Sequence, residues 1–109
     1  MEEREIVVKG IRFSVHKEGR EVGHAYLYIL TNDLHNVPFG LLEDVWVDEE
    51  ERSSGFAREL VCAVISRARR EQCYKLIATS RNDGTRRAVH DWYLRLGFQD
   101  YGTEFRMTF

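Results

Sequence analysis

The stretch "EDVWVDEEERSSGFARELV" (residues 43–61) decides how this chain folds. Read with the two leucines before it, "LLEDVWV" (41–47) is a strand, rich in the apolar and aromatic side chains that suit a pleated surface. The acids Asp48–Glu51, then Arg52, Ser53, Ser54 and Gly55 interrupt it, and from Phe56 the period changes. Ala57, Leu60, Val61, Val64, Ile65 and Ala68 recur on one face of a helix expected over 56–72. The first turn of such a helix carries free backbone N–H groups at the positive end of its dipole. Gly55 has no Cβ to hold a ligand away from those groups. Ser53 and Ser54 offer small hydroxyl donors, and Arg52 offers a charged fork that matches phosphate oxygens. Together these residues describe an anion cradle suited to pyrophosphate. The plainer alternative is a strand-to-helix connector with an incidental Ser-Ser-Gly cap. Asp48–Glu51 do not suit an anion site, so they are expected to face solvent on the outer side of the turn.

Working outward, "IVVKG" (6–10) reads as a short strand, and "IRFSVHKEGREVGHAYLYIL" (11–30) as two strands around a "KEGR" turn. "TNDLHNVPFG" (31–40) is a loop, and "KLIAT" (75–79) a buried strand followed by the turn "SRNDG" (80–84). A second helix carries the stripe Val89, Trp92, Tyr93 and Leu96, with Asp83 or Thr85 as cap and Gly97 just past its end. "FQDYGTEFRMTF" (98–109) closes the chain as a hairpin. The expected order, β-β-β-α-β-α-β-β, is an α/β (α+β) fold with two main helices.

Composition narrows the function. The length of 109 residues implies one domain, 1–109. A hydrophobic content of 43% beside 31% charged residues describes a globular rather than a disordered chain. A net charge of −2 supplies no field toward nucleic acid or an anionic membrane, so neither is expected as a partner. The longest apolar run, "AYLYIL" (25–30), is too short to span a bilayer, and no signal peptide is evident. Cys62 and Cys73 fit neither a zinc spacing nor a disulfide framework, and a reducing cytoplasm is the simplest location. His16, His24, His35 and His90 show no ligand spacing, so no metal is expected. The dinucleotide and P-loop glycine patterns are absent.

The run Arg52-Ser53-Ser54-Gly55-Phe56-Ala57 has the form R-x-x-G-x-A, between a strand and an amphipathic helix. It resembles the acetyl-CoA signature of the GNAT superfamily of N-acetyltransferases. "RRAVHDWYLRLGF" (86–98) is similar to a second motif of the same superfamily, a helix running into a strand. The resemblance covers roughly residues 41–100. It implies a single mixed, mostly antiparallel sheet with a central split between strand 41–47 and strand 75–79, and acetyl-CoA (coenzyme A) in the split. The pantetheine arm would lie along Val45, Trp46 and Val47 and the pyrophosphate on Arg52–Ala57, with Asn82 and Arg86 as further contacts. In the superfamily, one or two helices usually lie between the first two strands. Here about ten residues precede the first hairpin, which implies a short member without them, an open acceptor site, and a homodimer as one way to complete it.

Acetyl transfer to a primary amine requires removal of a proton from the amine, a donor for the oxyanion and a proton for the departing thiolate. Glu43 lies where sugar-amine members of the superfamily are proposed to carry their base, and a carboxylate suits that role. Alternation along a strand puts Glu43 and Asp44 on opposite faces, so at most one enters the cleft unless a bulge intervenes. A backbone N–H near Val45 is the expected oxyanion donor. Tyr93 corresponds to the family tyrosine that protonates the thiolate, although its place on the helix stripe also suits a core residue. The expected activity is N-acetylation of a small-molecule or protein amine in a ternary complex. A catalytically weak acyl-CoA-binding or regulatory module is the alternative.

Overall fold

The computed structural model describes residues 1–109. Its first compact unit, Met1–Ala78, is a four-stranded sheet with one helix packed on it. Strands β1 (Lys9–Lys17), β2 (Arg20–Leu30) and β3 (Phe39–Val47) form an antiparallel meander. Helix α1 (Phe56–Arg70) then crosses over to β4 (Leu76–Ala78), which pairs parallel to β3. The spatial order is β1-β2-β3-β4, the mixed and mostly antiparallel sheet that the family resemblance implies.

One face of the sheet is buried by α1. Val22, Ala25, Leu27 and Ile29 of β2 and Leu42 and Val47 of β3 meet Leu60, Val61, Val64 and Ala68 of α1 in the core. Full burial of Leu60, Val61 or Val64 is worth about 1.5–3 kcal/mol each, so this stripe holds the helix in place. The helix stops at Arg70 in a Schellman turn. Gln72 adopts φ 62°, its N–H donates to Arg69 O, and the N–H of Cys73 donates to Ala68 O. Glu71 at this end accepts from both Lys9 and Arg67. Gly40 lets β4 come close, because a Cβ there would lie 2.9 Å from Leu76 Cδ1. No helix is long and apolar enough to cross a membrane.

The second unit, Thr79–Phe109, contains helix α2 (Arg87–Arg95). Asp83 Oδ1 accepts from the N–H of Thr85 and fixes the turn before it, and Gly97, at φ 106°, follows its end as the glycine signal predicts. Val89, Trp92, Tyr93 and Leu96 are half-buried, in agreement with the helical stripe.

Two expected elements do not form. Residues 1–8 are not a strand, and Ile6 and Val7 are exposed, so β1 begins at Lys9. The hairpin over 98–109 is absent, although Tyr101, Phe105, Met107 and Phe109 alternate with polar residues and are all exposed. Alternation gives a strand its two faces but no partner, and an isolated hairpin is marginal in water.

A candidate acetyl-CoA site at a broken strand pair

The site begins where β3 loses a neighbour. Its parallel ladder with β4 runs from Gly40↔Leu76 to Leu42↔Ala78 and stops there, while β3 continues through Glu43 to Val47. On the other side β2 stays paired, but the register shifts: Tyr26 lies opposite Glu43 and His24 opposite Trp46. Asp44 and Val45 therefore share the place across from Ala25, a β-bulge. Asp44 has φ 50°, in the left-handed region that aspartate tolerates better than most residues.

The bulge decides where the backbone of β3 points. Gly40 donates its N–H to Lys75 O, toward β4, whereas Asp48 donates to Val22 O, toward β2. Both are even-numbered, so the alternation is reversed once between them, at Asp44 and Val45. Beyond the bulge, Val45 and Val47 turn their N–H and C=O groups to the side that β4 no longer fills. One carbonyl there has a partner, since Arg52 Nε donates to Val47 O at 3.2 Å.

The bulge also changes the side-chain faces. Glu43 lies across from Tyr26, and the carboxylate of Asp44 meets His24 Nε2 at 3.1 Å. His24 and Tyr26 project from the face of β2 opposite the core, so Glu43 and Asp44 lie on one face together. The bulge at Asp44 and Val45 is what puts Glu43 and Asp44 on the same face. His24, Tyr26, Tyr28 and Trp46 form a run of ring contacts across the same face.

At the end of β3, the side chain of Asp48 accepts from the N–H of Glu50 and starts a short 3-10 turn, Glu49–Glu51. Gly55 at φ 84° then carries the chain into α1, with no side-chain hydrogen bond capping the helix. A Cβ on Gly55 would meet nothing within 4 Å, so the space over the first turn is open. Open space, an uncapped helix start and the guanidinium of Arg52 fit the pyrophosphate of a coenzyme A. The outward placement expected for the acids needs correction. Glu51 is buried, accepts from Lys17 Nζ and from the Ser54 hydroxyl, and pins the loop to β1. Asp48 is bonded to Arg20, which holds its carboxyl below the usual range. Ser54 thus spends its hydroxyl proton on Glu51, while Ser53 is exposed.

Asn82, Arg86 and Tyr93 belong to the second unit. Asn82 is exposed in the turn before α2, Arg86 is the N-cap of α2, and Tyr93 makes an edge contact with Phe98 at 5.2 Å between ring centroids. Burial pushes the Cys73 thiol up, away from the thiolate form, which agrees with reading it as an ordinary cysteine. The residues that sequence reasoning missed are Arg12, Glu21 and His24. Their pattern in sequence is that of an ordinary exposed strand face, and only the pairing of β1 with β2 brings them together.

Comparison with known proteins agrees with this geometry. A sequence profile described as "Acetyltransferase (GNAT) family" matches residues 2–98. The fold is similar to that of a Trypanosoma brucei acetyltransferase, with 27% identity and a TM-score of 0.82 over 92% of this chain and 69% of that one. It is equally similar to an Agrobacterium tumefaciens protein assigned as an acetyltransferase, with 28% identity and a TM-score of 0.82 over 91% and 68% of the two chains. The fold alone is shared with AAC(6')-Iy, solved with a bisubstrate analogue of CoA and acetylneamine, at 21% identity and a TM-score of 0.72 over 91% and 69%. The chain belongs to the GNAT acetyltransferase family, whose acyl donor is acetyl-CoA.

Proposed function

We propose that the chain is a single acetyltransferase domain, 1–109, which moves an acetyl group to a primary amine directly in a ternary complex, with no covalent enzyme intermediate. The observation that carries this reading is the unpaired stretch of β3 beyond Leu42, with its bulge at Asp44 and Val45. Bound acetyl-CoA supplies a thioester whose carbonyl carbon accepts the amine lone pair as the C–S bond breaks.

The protein's own groups do the rest. Backbone of Val45, Trp46 and Val47 pairs with the pantetheine, and Arg52–Ala57 holds the pyrophosphate. Asn82 and Arg86 add contacts to the pantetheine and to a phosphate. Glu43 takes the proton released by the attacking amine, and Tyr93 returns one to the departing thiolate. The Val45 N–H stabilises the oxyanion. Glu43 and Asp44, beside Trp46 and Tyr26, suit a cationic amine, on a small molecule or a protein, by charge complementarity.

Calorimetric titration with acetyl-CoA, desulfo-CoA and ATP tests the reading, with Gly55→Asp as the control. Acetyl-CoA is expected to bind, ATP to bind weakly or not at all, and Gly55→Asp to weaken acetyl-CoA by about 100-fold through a carboxylate set against the pyrophosphate. At φ 84° a side chain is strained, aspartate less than most, so thermal unfolding of the variant is read beside its affinity. Equal affinity in the variant would refute the site. Binding with no transfer to any amine would leave the acyl-CoA-binding module.

A further inference from the structure

His24 is held at both ring nitrogens. Arg12 Nη2 lies 3.2 Å from Nδ1, and Asp44 Oδ2 lies 3.1 Å from Nε2. Arginine can only donate and an ionised carboxylate can only accept. The pair of contacts is therefore satisfied by one form of the ring: neutral, with Nδ1 accepting from Arg12 and Nε2–H donating to Asp44. The opposite tautomer sets donor against donor at one end and lone pair against carboxylate at the other.

Arg12 is itself fixed in place. It makes a two-pronged bond to Glu21, with Nη2 to Oε2 at 2.9 Å, and its Nε donates to the Tyr26 hydroxyl at 3.0 Å. The His24 ring packs on Trp46 at 5.3 Å and edge-on to Tyr26 at 5.8 Å, and its side chain is only 17% exposed. The groups facing it are Arg12 from β1, Glu21 and Tyr26 from β2, and Asp44 and Trp46 from β3. His24 pairs with Trp46 across the ladder yet bonds the side chain of Asp44, so it spans the bulge. A left-handed aspartate persists only where its surroundings hold it.

We propose that His24 is a positioning residue: as the Nε2–H tautomer, oriented by Arg12, it pins Asp44 in the bulge and so keeps the Val45 amide turned to the unpaired side of β3. The role deepens, and rests on, the reading of that amide as the donor to the thioester carbonyl. Asp44 is then a backbone anchor, and its exposed carboxylate is bonded on the oxygen that faces His24.

The test compares acetyl-CoA with S-ethyl-CoA, which lacks the carbonyl oxygen, by calorimetry on wild type, His24→Phe and His24→Gln. Phenylalanine keeps the ring packing, and glutamine restores an N–H donor. Wild type should prefer acetyl-CoA by about fivefold, the worth of one hydrogen bond. His24→Phe should bind both ligands equally, and His24→Gln should recover the preference. Long-range 15N–1H correlation, with His24 assigned by its loss in His24→Gln, should show the Nε2–H tautomer in wild type. A preference kept in His24→Phe or missing from wild type, or an Nδ1–H or doubly protonated ring at neutral pH, overturns the proposal. Failure of wild type to bind either ligand removes the acetyl-transfer reading itself and the positioning role with it. The tautomer measurement would still stand as a fact of the fold.

Discussion

From Gly40 to Leu42, β3 is paired on both sides, with β2 and with β4; from Glu43 to Val47 it keeps β2 alone. The first half has what a central strand needs. Its backbone is paired, Leu42 is buried at 2% exposure, and Gly40 admits β4. The second half has Trp46 at 39% exposure, a positive-φ aspartate and amides that turn toward no strand. One strand therefore has two halves, doubly paired before the bulge and open on one side after it, where the proposed site lies. Unpaired backbone is costly in a closed core, and in the proposed site it is the part that would receive the ligand.

Truncation is the sharpest way to break this contrast. Leu42→Ala should cost about 3 kcal/mol in urea unfolding, through lost burial and a cavity left in the core between the sheet and α1. Val45→Ala, at a half-buried site after the bulge, should cost less than about 1.5 kcal/mol. Equal costs would mean that the two halves support the fold alike. Next in size is chemistry. Glu43→Gln should lower kcat/KM for an amine by about 100-fold and flatten the acid limb of its pH profile, with Tm little changed. An unaltered profile would move the proton-accepting role from Glu43 to Asp44 or to water. Tyr93→Phe, tested in the same assay, should lower turnover and leave acetyl-CoA affinity intact.

The smallest effect belongs to the ion pairs flanking the second half. Hydrogen bonds from Arg12 to Glu21 and from Arg20 to Asp48 hold both carboxyls below their usual range. A carboxyl depressed in the folded state adds stability above its unfolded pKa and loses it as pH falls toward the folded value. The loss should begin below about pH 5. Thermal unfolding should show Tm dropping between pH 5 and 3, and dropping less in Glu21→Gln. The groups are solvent-exposed, so the change should be modest. An identical drop in the variant would show that Glu21 contributes nothing to it.

Much of the site could be read from residue order, because its parts are local. Arg52, Gly55 and Ala57 are near neighbours, and a strand running into an amphipathic helix through such a loop has few ways to be built. The expectation failed where the outcome depended on partners. Glu51 looked like one more surface acid among Asp48–Glu51, yet Lys17 and Ser54 draw it inward. Tyr101 to Phe109 alternate like a strand but form none. His24 offered no metal-ligand spacing, and its role comes from Arg12 and Asp44, which lie on two different neighbouring strands.

The sequence by itself determined the helix stripes, the meander of three strands, the turn at Gly55 and the family, since each rests on periodicity or on residues a few positions apart. Only the tertiary structure decided where β4 stops pairing with β3, which residue of β3 forms the bulge, and that Glu43 and Asp44 share a face. Register is a property of two strands meeting, and a shift of one residue reverses every backbone and side-chain direction beyond it.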